Sequence, residues 1–309
     1  MLHVAPNYVI RRALTGELSM KDSPVRQFFD DRFLAGLRDV QARFRTGAGS
    51  IVVPGAPQAE ANAGTIGTAT DWLLRFLVHP APSLHLAALG ARLCQRLPAL
   101  DEIATSLGYT GTGAELFRGP RPGSRADPDY LNRVCWALAL LAEVYRSSGM
   151  ALAGGPITRL RDDSAGSLLA AAPEAGLAQL AALRDVLETL LLPQLARREG
   201  MWAVGPTLVG SELMAGDADL IAGGLLLELK VSAKPVSLAM TDAWQLLGYA
   251  LMDYTDEFGI TDVAVFAARY GYLATWNLEA LLSELAGKPV NVTELRAEFR
   301  ELLEACQEG

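Results

Sequence analysis

Residues 216 to 230 read GDADLIAGGLLLELK, and no other stretch constrains the fold as tightly. Two short apolar runs flank Gly223-Gly224, a pair that readily takes the φ > 0 angles of a two-residue hairpin turn. With the turn there, Ala222 pairs with Leu225, Asp219 lies opposite Glu228, and Asp217 lies opposite Lys230. Side chains alternate across a strand, so Asp217, Asp219, Glu228 and Lys230 share one face. Leu220, Leu225, Leu227 and Leu229 take the other face and are expected in the core.

The polar face is unusual for a hairpin built only for stability. Opposed carboxylates have Cβ atoms roughly 5 Å apart and repel each other. A divalent cation between them removes the conflict, because hard cations prefer carboxylate oxygens. Lys230, two residues along from Glu228, points at the same place and can hold an attacking water or a phosphate oxygen. Metal-assisted hydrolysis of a phosphodiester needs those parts. The bland alternative is a solvated strand face with Asp217 paired to Lys230, worth at most about 1 kcal/mol if exposed.

Asp219, an eight-residue gap and then Glu228-Leu229-Lys230 resemble the D…ExK signature of the PD-(D/E)xK nuclease superfamily. Downstream, TDAWQLLGYALMDY is similar to the QxxxY motif of its RecB-like branch, carried by Gln245 and Tyr249. Those two are spaced i, i+4 and share one helix face. The resemblance covers about residues 180 to 276, and Ala218 precedes the aspartate in place of the signature proline, which many members also lack. It implies a restriction-endonuclease-like core, Mg²⁺ or Mn²⁺ held by Asp219, Glu228 and the Leu229 carbonyl, and a catalytic set of Asp219, Glu228, Lys230, Gln245 and Tyr249. It also implies an extra acid from a helix before the sheet. Glu188 is the candidate, with a plain salt bridge to Arg184 as its ordinary role, and Glu212 competes with it.

Length allows one or two domains, and an apolar fraction of 50% supplies ample core. The cysteines Cys94, Cys135 and Cys306 and the histidines His3, His79 and His85 form no close-spaced set, which argues against a zinc site or a disulfide framework. Arg11, Arg12 and Glu17 interrupt any signal-like stretch, and no uncharged run is as long as a membrane span. A cytoplasmic protein without a membrane partner is expected. Net charge is −8 but unevenly spread. Residues 1–160 hold 17 Lys/Arg against 13 Asp/Glu, whereas residues 161–309 hold 10 against 22. Any grip on a polyanion must therefore come from local basic clusters.

Helical signals dominate the first half. Ser23-Pro24 opens a helix to residue 45, with Phe29, Phe33, Leu37 and Val40 on its apolar face and Arg32, Arg38, Arg43 and Arg45 around the rest. Residues 46 to 67 read as a loop without the Lys-Ser/Thr ending of a phosphate loop, leading to a helix capped by Thr68 or Thr70. Residues 108 to 126 form a glycine-rich loop in which Arg118, Arg121 and Arg125 are candidate substrate contacts. Asp127-Pro128 caps the next helix, and glycines near 154–166 mark the module boundary. A helix over 174–192 stops at Pro193, a strand over 202–213 precedes the hairpin, and Pro235 makes a turn after Lys230. A helix over 242–254, strands over 261–276 and helices from Leu278 and Val292 complete the chain.

The expected fold is therefore α/β: a mostly helical region over 1–160, suited to substrate or partner, and a nuclease-like domain over 161–309 with a small mixed sheet of four or five strands flanked by helices. The expected activity is metal-dependent hydrolysis of nucleic acid, with DNA as the polymer, in repair, recombination or defence. Two other classes fit the residues: an inactive nuclease fold serving as a nucleic-acid- or protein-binding module, and a phosphoesterase acting on nucleotides. A second copy or another protein as partner stays open.

Overall fold

The computed structural model describes residues 12–57, 60–234 and 236–308. His3, Arg11 and the turn expected at Pro235 lie outside them. The chain folds into three layers around a six-stranded mixed sheet in the order β1 to β6. Its strands are β1 Leu116–Arg118, β2 Met201–Val204, β3 Leu220–Ala222, β4 Leu225–Lys230, β5 Asp262–Ala267 and β6 Tyr272–Asn277. β1 to β4 pair antiparallel, β4 and β5 pair parallel, and β6 returns antiparallel to β5.

The hairpin register is the one the glycine pair dictates. Leu220 faces Leu227, Ile221 faces Leu226 and Ala222 faces Leu225, with Gly223 at φ +53° and Gly224 at φ +77°. Leu220, Leu225, Leu227 and Leu229 enter one core, Ile221 and Leu226 the other.

On the first face lie α4 Ala63–Val78, α5 His85–Leu93, α6 Leu97–Ser106, α7 Pro128–Arg146, α8 Ala165–Leu169, α9 Glu174–Val186 and α10 Leu192–Leu195. On the second lie α1 Leu14–Ser19, α2 Pro24–Phe33, α3 Leu37–Gly47, α11 Met240–Met252, α12 Leu278–Ala286 and α13 Val292–Glu308. The helical first half therefore does not form a body apart. Its first helices pack with the last ones, where Phe29 stacks on Trp244 and meets Phe299 edge-on. No helix among the described residues is long and apolar enough to cross a membrane.

Several boundaries differ from the sequence expectation. The single helix over 23–45 is two, α2 and α3, broken where Gly36 comes so close to the Glu284 backbone that a Cβ would not fit. α4 starts at Ala63 rather than after Thr68, because Asn62 accepts the Gly64 and Thr65 N–H groups. The loop over 108–126 contains β1. The strand over 202–213 ends at Val204, with Pro206 close behind and a 3₁₀ turn over Val209–Glu212. Pro193 does not end its helix. The chain widens into a π turn over Leu187–Leu191, which makes room for a ring that would clash inside a regular α-helix.

Candidate active site

β3 is shorter than its partners because the hairpin splays apart at Asp219. The β2–β3 pairing continues past the end of β3: the Gly205 N–H donates to the Asp219 carbonyl at 3.0 Å, and Thr207 bridges to Asp217. On the other side, the Leu229 N–H of β4 donates at 2.7 Å to Asp219 Oδ2, a side-chain oxygen. A carboxylate thus takes the ladder bond that a backbone carbonyl would make, and β4 parts from the 217–219 segment. Asp217 is carried away from Lys230 and exposed, which corrects the expected Asp217–Lys230 pairing.

Glu228 is only 5% exposed at the end of β4. Its Oε1 accepts from Gln245 Nε2 at 2.9 Å and from Lys230 Nζ at 3.0 Å. Lys230 Nζ also donates to Gln245 Oε1 at 3.0 Å and pairs with Asp242 Oδ1 at 3.0 Å. Gln245 Nε2 reaches the Tyr249 hydroxyl at 3.1 Å. Asp242, Gln245 and Tyr249 are spaced i, i+3, i+7 on α11, so one helix face supplies all three. The parallel β4–β5 crossover runs through α11 and sets that face against the end of β4.

Burial and mutual repulsion act on the acids together. Asp219 is pushed well above the usual carboxylate range by desolvation, then by the charge of Glu228 and of Asp71. Glu228 is raised by desolvation, with Lys230 opposing. Desolvation alone would lower Lys230, but Glu228 and Asp242 outweigh it and its pKa rises. Tyr249 is raised well above its ordinary value by burial and by Glu228, so its hydroxyl keeps its proton.

Neither Glu188 nor Glu212 is among the charges that act most strongly on the pair. Glu188 is exposed on the π turn, and Arg184 bonds Asn132 and the Pro128 carbonyl instead of Glu188. Glu212 is exposed in the 3₁₀ turn. The acid whose charge is felt at both Asp219 and Glu228 is Asp71, from α4 on the opposite layer. Asp71 is clasped by Arg75, whose Nε lies 3.0 and 3.1 Å from its two oxygens. The Arg75 guanidinium fills the space above Gly205, where a Cβ would collide with it, one hydrogen bond from the Asp219 backbone. Neither Asp71 nor Asp242 belongs to the motifs that mark the site in the sequence. The signal for Asp71 was a charged i, i+4 pair inside an otherwise apolar helix, DWLLR. For Asp242 it was a position three residues before Gln245.

Arg118, Arg121 and Arg125 are all exposed but stand away from this cluster. Arg118 faces Met201 across β1–β2, the end of β2 beside the Gly223 turn, whereas Asp219 lies at the other end. Four residues along and two strands across amount to roughly 16 Å. The following loop is tied to the far end of α4 by Ser124 N–H to Phe76 carbonyl.

The donor set suits a hard divalent ion. Asp219 Oδ1 and Glu228 Oε2 have no hydrogen-bond partner among the described residues. The Leu229 carbonyl projects to the same side of β4 as its N–H, toward Asp219. No three His, Cys, Asp or Glu side chains among the described residues converge as a metal cluster. Two carboxylates with the rest left to water and substrate phosphate is how Mg²⁺ is commonly held. Comparison with family models, with curated proteins and with solved structures gave no match.

Proposed function

We propose that this chain is a metal-dependent nuclease that hydrolyses phosphodiester bonds, with DNA as the expected polymer. The observation that carries the proposal is the splayed hairpin. It brings the buried Glu228 carboxylate and the half-buried Asp219 carboxylate, mutually repelling, together with open oxygens and fixes a lysine beside them. A structural ion pair needs Lys230 and one acid; it gives no reason to place a second acid where the negative charges of Glu228 and Asp71 act on it more strongly than the positive charge of Arg75.

A divalent ion bound there supplies Lewis acidity, polarising a phosphoryl oxygen and acidifying water. Asp219 Oδ1, Glu228 Oε2 and the Leu229 carbonyl would hold it, and Asp71 adds negative charge behind them. Lys230 keeps its proton at neutral pH, since its pKa is raised. It therefore acts as a fixed cation and hydrogen-bond donor to the nucleophile or the charged phosphoryl group, and does not serve as the base. Gln245 bridges Glu228 and Lys230, so one amide sets the spacing between metal ligand and cation. Tyr249 fixes the orientation of that amide. The arginines at the far sheet edge are placed to contact a flanking part of a long substrate, away from the scissile bond.

The test is cleavage of plasmid, linear duplex, single-stranded DNA and RNA by pure protein with Mg²⁺ or Mn²⁺, beside Asp219→Ala. Metal-dependent cutting lost in the variant is expected. No cutting of any substrate with either ion would leave the binding-module function in its place.

A further inference from the structure

Lys230 donates to three acceptors at once, Glu228 Oε1, Gln245 Oε1 and Asp242 Oδ1, each at 3.0 Å. An ammonium has three N–H bonds, so these acceptors fill its capacity. Two of them carry other duties. Glu228 faces Asp219, and Gln245 holds Glu228 and Tyr249 through its amide nitrogen. Asp242 is anchored differently. Its Oδ2 accepts the Ala239 N–H at 3.2 Å at the start of α11, which ties the carboxylate to the helix end and leaves Oδ1 for Lys230. The Asp242 and Lys230 side chains are 28% and 27% exposed, against 7% for Glu228, so the pair stands at the mouth of the site.

We propose that Asp242 is the positioning residue that holds the Lys230 ammonium over the reacting centre. It belongs to neither the D…ExK nor the QxxxY set, and its catalytic consequence rests on the nuclease proposal above. A lysine stem has four rotatable carbons and a point charge, which by itself fixes no direction. When Glu228 turns charge toward a cation, or when a phosphate oxygen takes one Nζ proton, Asp242 is the anionic partner that stays. Its own position is set by the α11 backbone and does not depend on the metal ligands. Lys230 can then exchange one acceptor for substrate without leaving its place.

Asp242→Asn tests this with the fold preserved, because an asparagine oxygen still caps the Ala239 N–H while its NH₂ group faces Lys230. The chain has four lysines, Lys21, Lys230, Lys234 and Lys288, so amine acylation can be mapped residue by residue by mass spectrometry. In the variant, Lys230 should acylate about tenfold faster, as expected for an amine that has lost an anionic partner. The other three lysines serve as internal controls and should not change. With cleavable substrate, kcat should fall about 10- to 100-fold while KM moves little, the signature of a misplaced reacting group. Asp242→Glu, which keeps the charge on a longer stem, should recover part of both. Unchanged Lys230 acylation in folded Asp242→Asn overturns the proposal, and so does a lower melting temperature as the sole effect, which would make Asp242 a helix cap. The acylation arm does not use activity. If wild-type protein cuts nothing while acylation responds, the nuclease proposal fails and the anchoring of Lys230 by Asp242 stands.

Discussion

The stability of the metal-free protein should fall as pH rises, and a divalent ion should remove that fall. Asp219 and Glu228 both have native pKa values above their ordinary 3.8 and 4.5. The native pair therefore holds a proton that the unfolded chain gives up. Such a contribution is fully present below the unfolded values and is lost as pH climbs toward the raised native ones. The two acids titrate as a unit, so one extra native proton is the natural size of the effect. Each pH unit in that window then costs about 1.4 kcal/mol of stability. Binding Mn²⁺ must expel the same proton, so metal affinity should rise by up to about tenfold per pH unit over the window. Urea unfolding between about pH 5 and pH 8 gives the slope, read from the fluorescence of the buried Trp72, Trp202 and Trp244. Other groups that titrate in this range add slopes of their own, such as His79, whose pKa is lowered by burial. The difference between wild type and Asp219→Asn isolates the pair. The variant should lose the descending slope and be more stable than wild type at the alkaline end without metal. An Asp219→Asn slope equal to that of wild type, with an undiminished metal response, would refute the electrostatic account of the site.

Three further outcomes follow from the geometry. Lys230→Ala should abolish cleavage and leave Mn²⁺ binding by calorimetry intact, whereas Glu228→Ala should remove both; Gln245→Ala and Tyr249→Ala should slow the reaction by tens to thousands of fold without abolishing it. Arg75→Met leaves Asp71 buried beside Asp219 without its counter-ion, and should lower unfolding free energy by about 3–5 kcal/mol in denaturant titration. Replacing Arg118, Arg121 and Arg125 together should weaken substrate binding and flatten its dependence on salt while cleavage of bound substrate proceeds at the wild-type rate.

Local chemistry was legible in the sequence wherever a residue's conformation or alternation decides the outcome alone. Gly223-Gly224 dictated the turn, and with it the register and the leucine face. Asp127 and Ser23 marked their helix starts because a cap is a contact over two or three residues. Gln245 and Tyr249 shared a face because a helix repeats every 3.6 residues. The π turn at Leu187–Leu191 and the break at Gly36 were not legible, since one answers a proline inside a packed helix and the other a backbone from 248 residues away. The site divides the same way. Asp219, Glu228 and Lys230 lie within twelve residues and could be placed on one face from alternation, but alternation also put Asp217 beside them. Only the tertiary structure moved Asp217 away, because β2 competes for the same segment and the strands splay at Asp219. It also brought in Asp71 and Arg75 across the sheet from α4, and Asp242 over the end of β4. Those residues reach the site through layer packing and a crossover connection, which fix distances between segments remote along the chain and leave no periodic trace in the sequence.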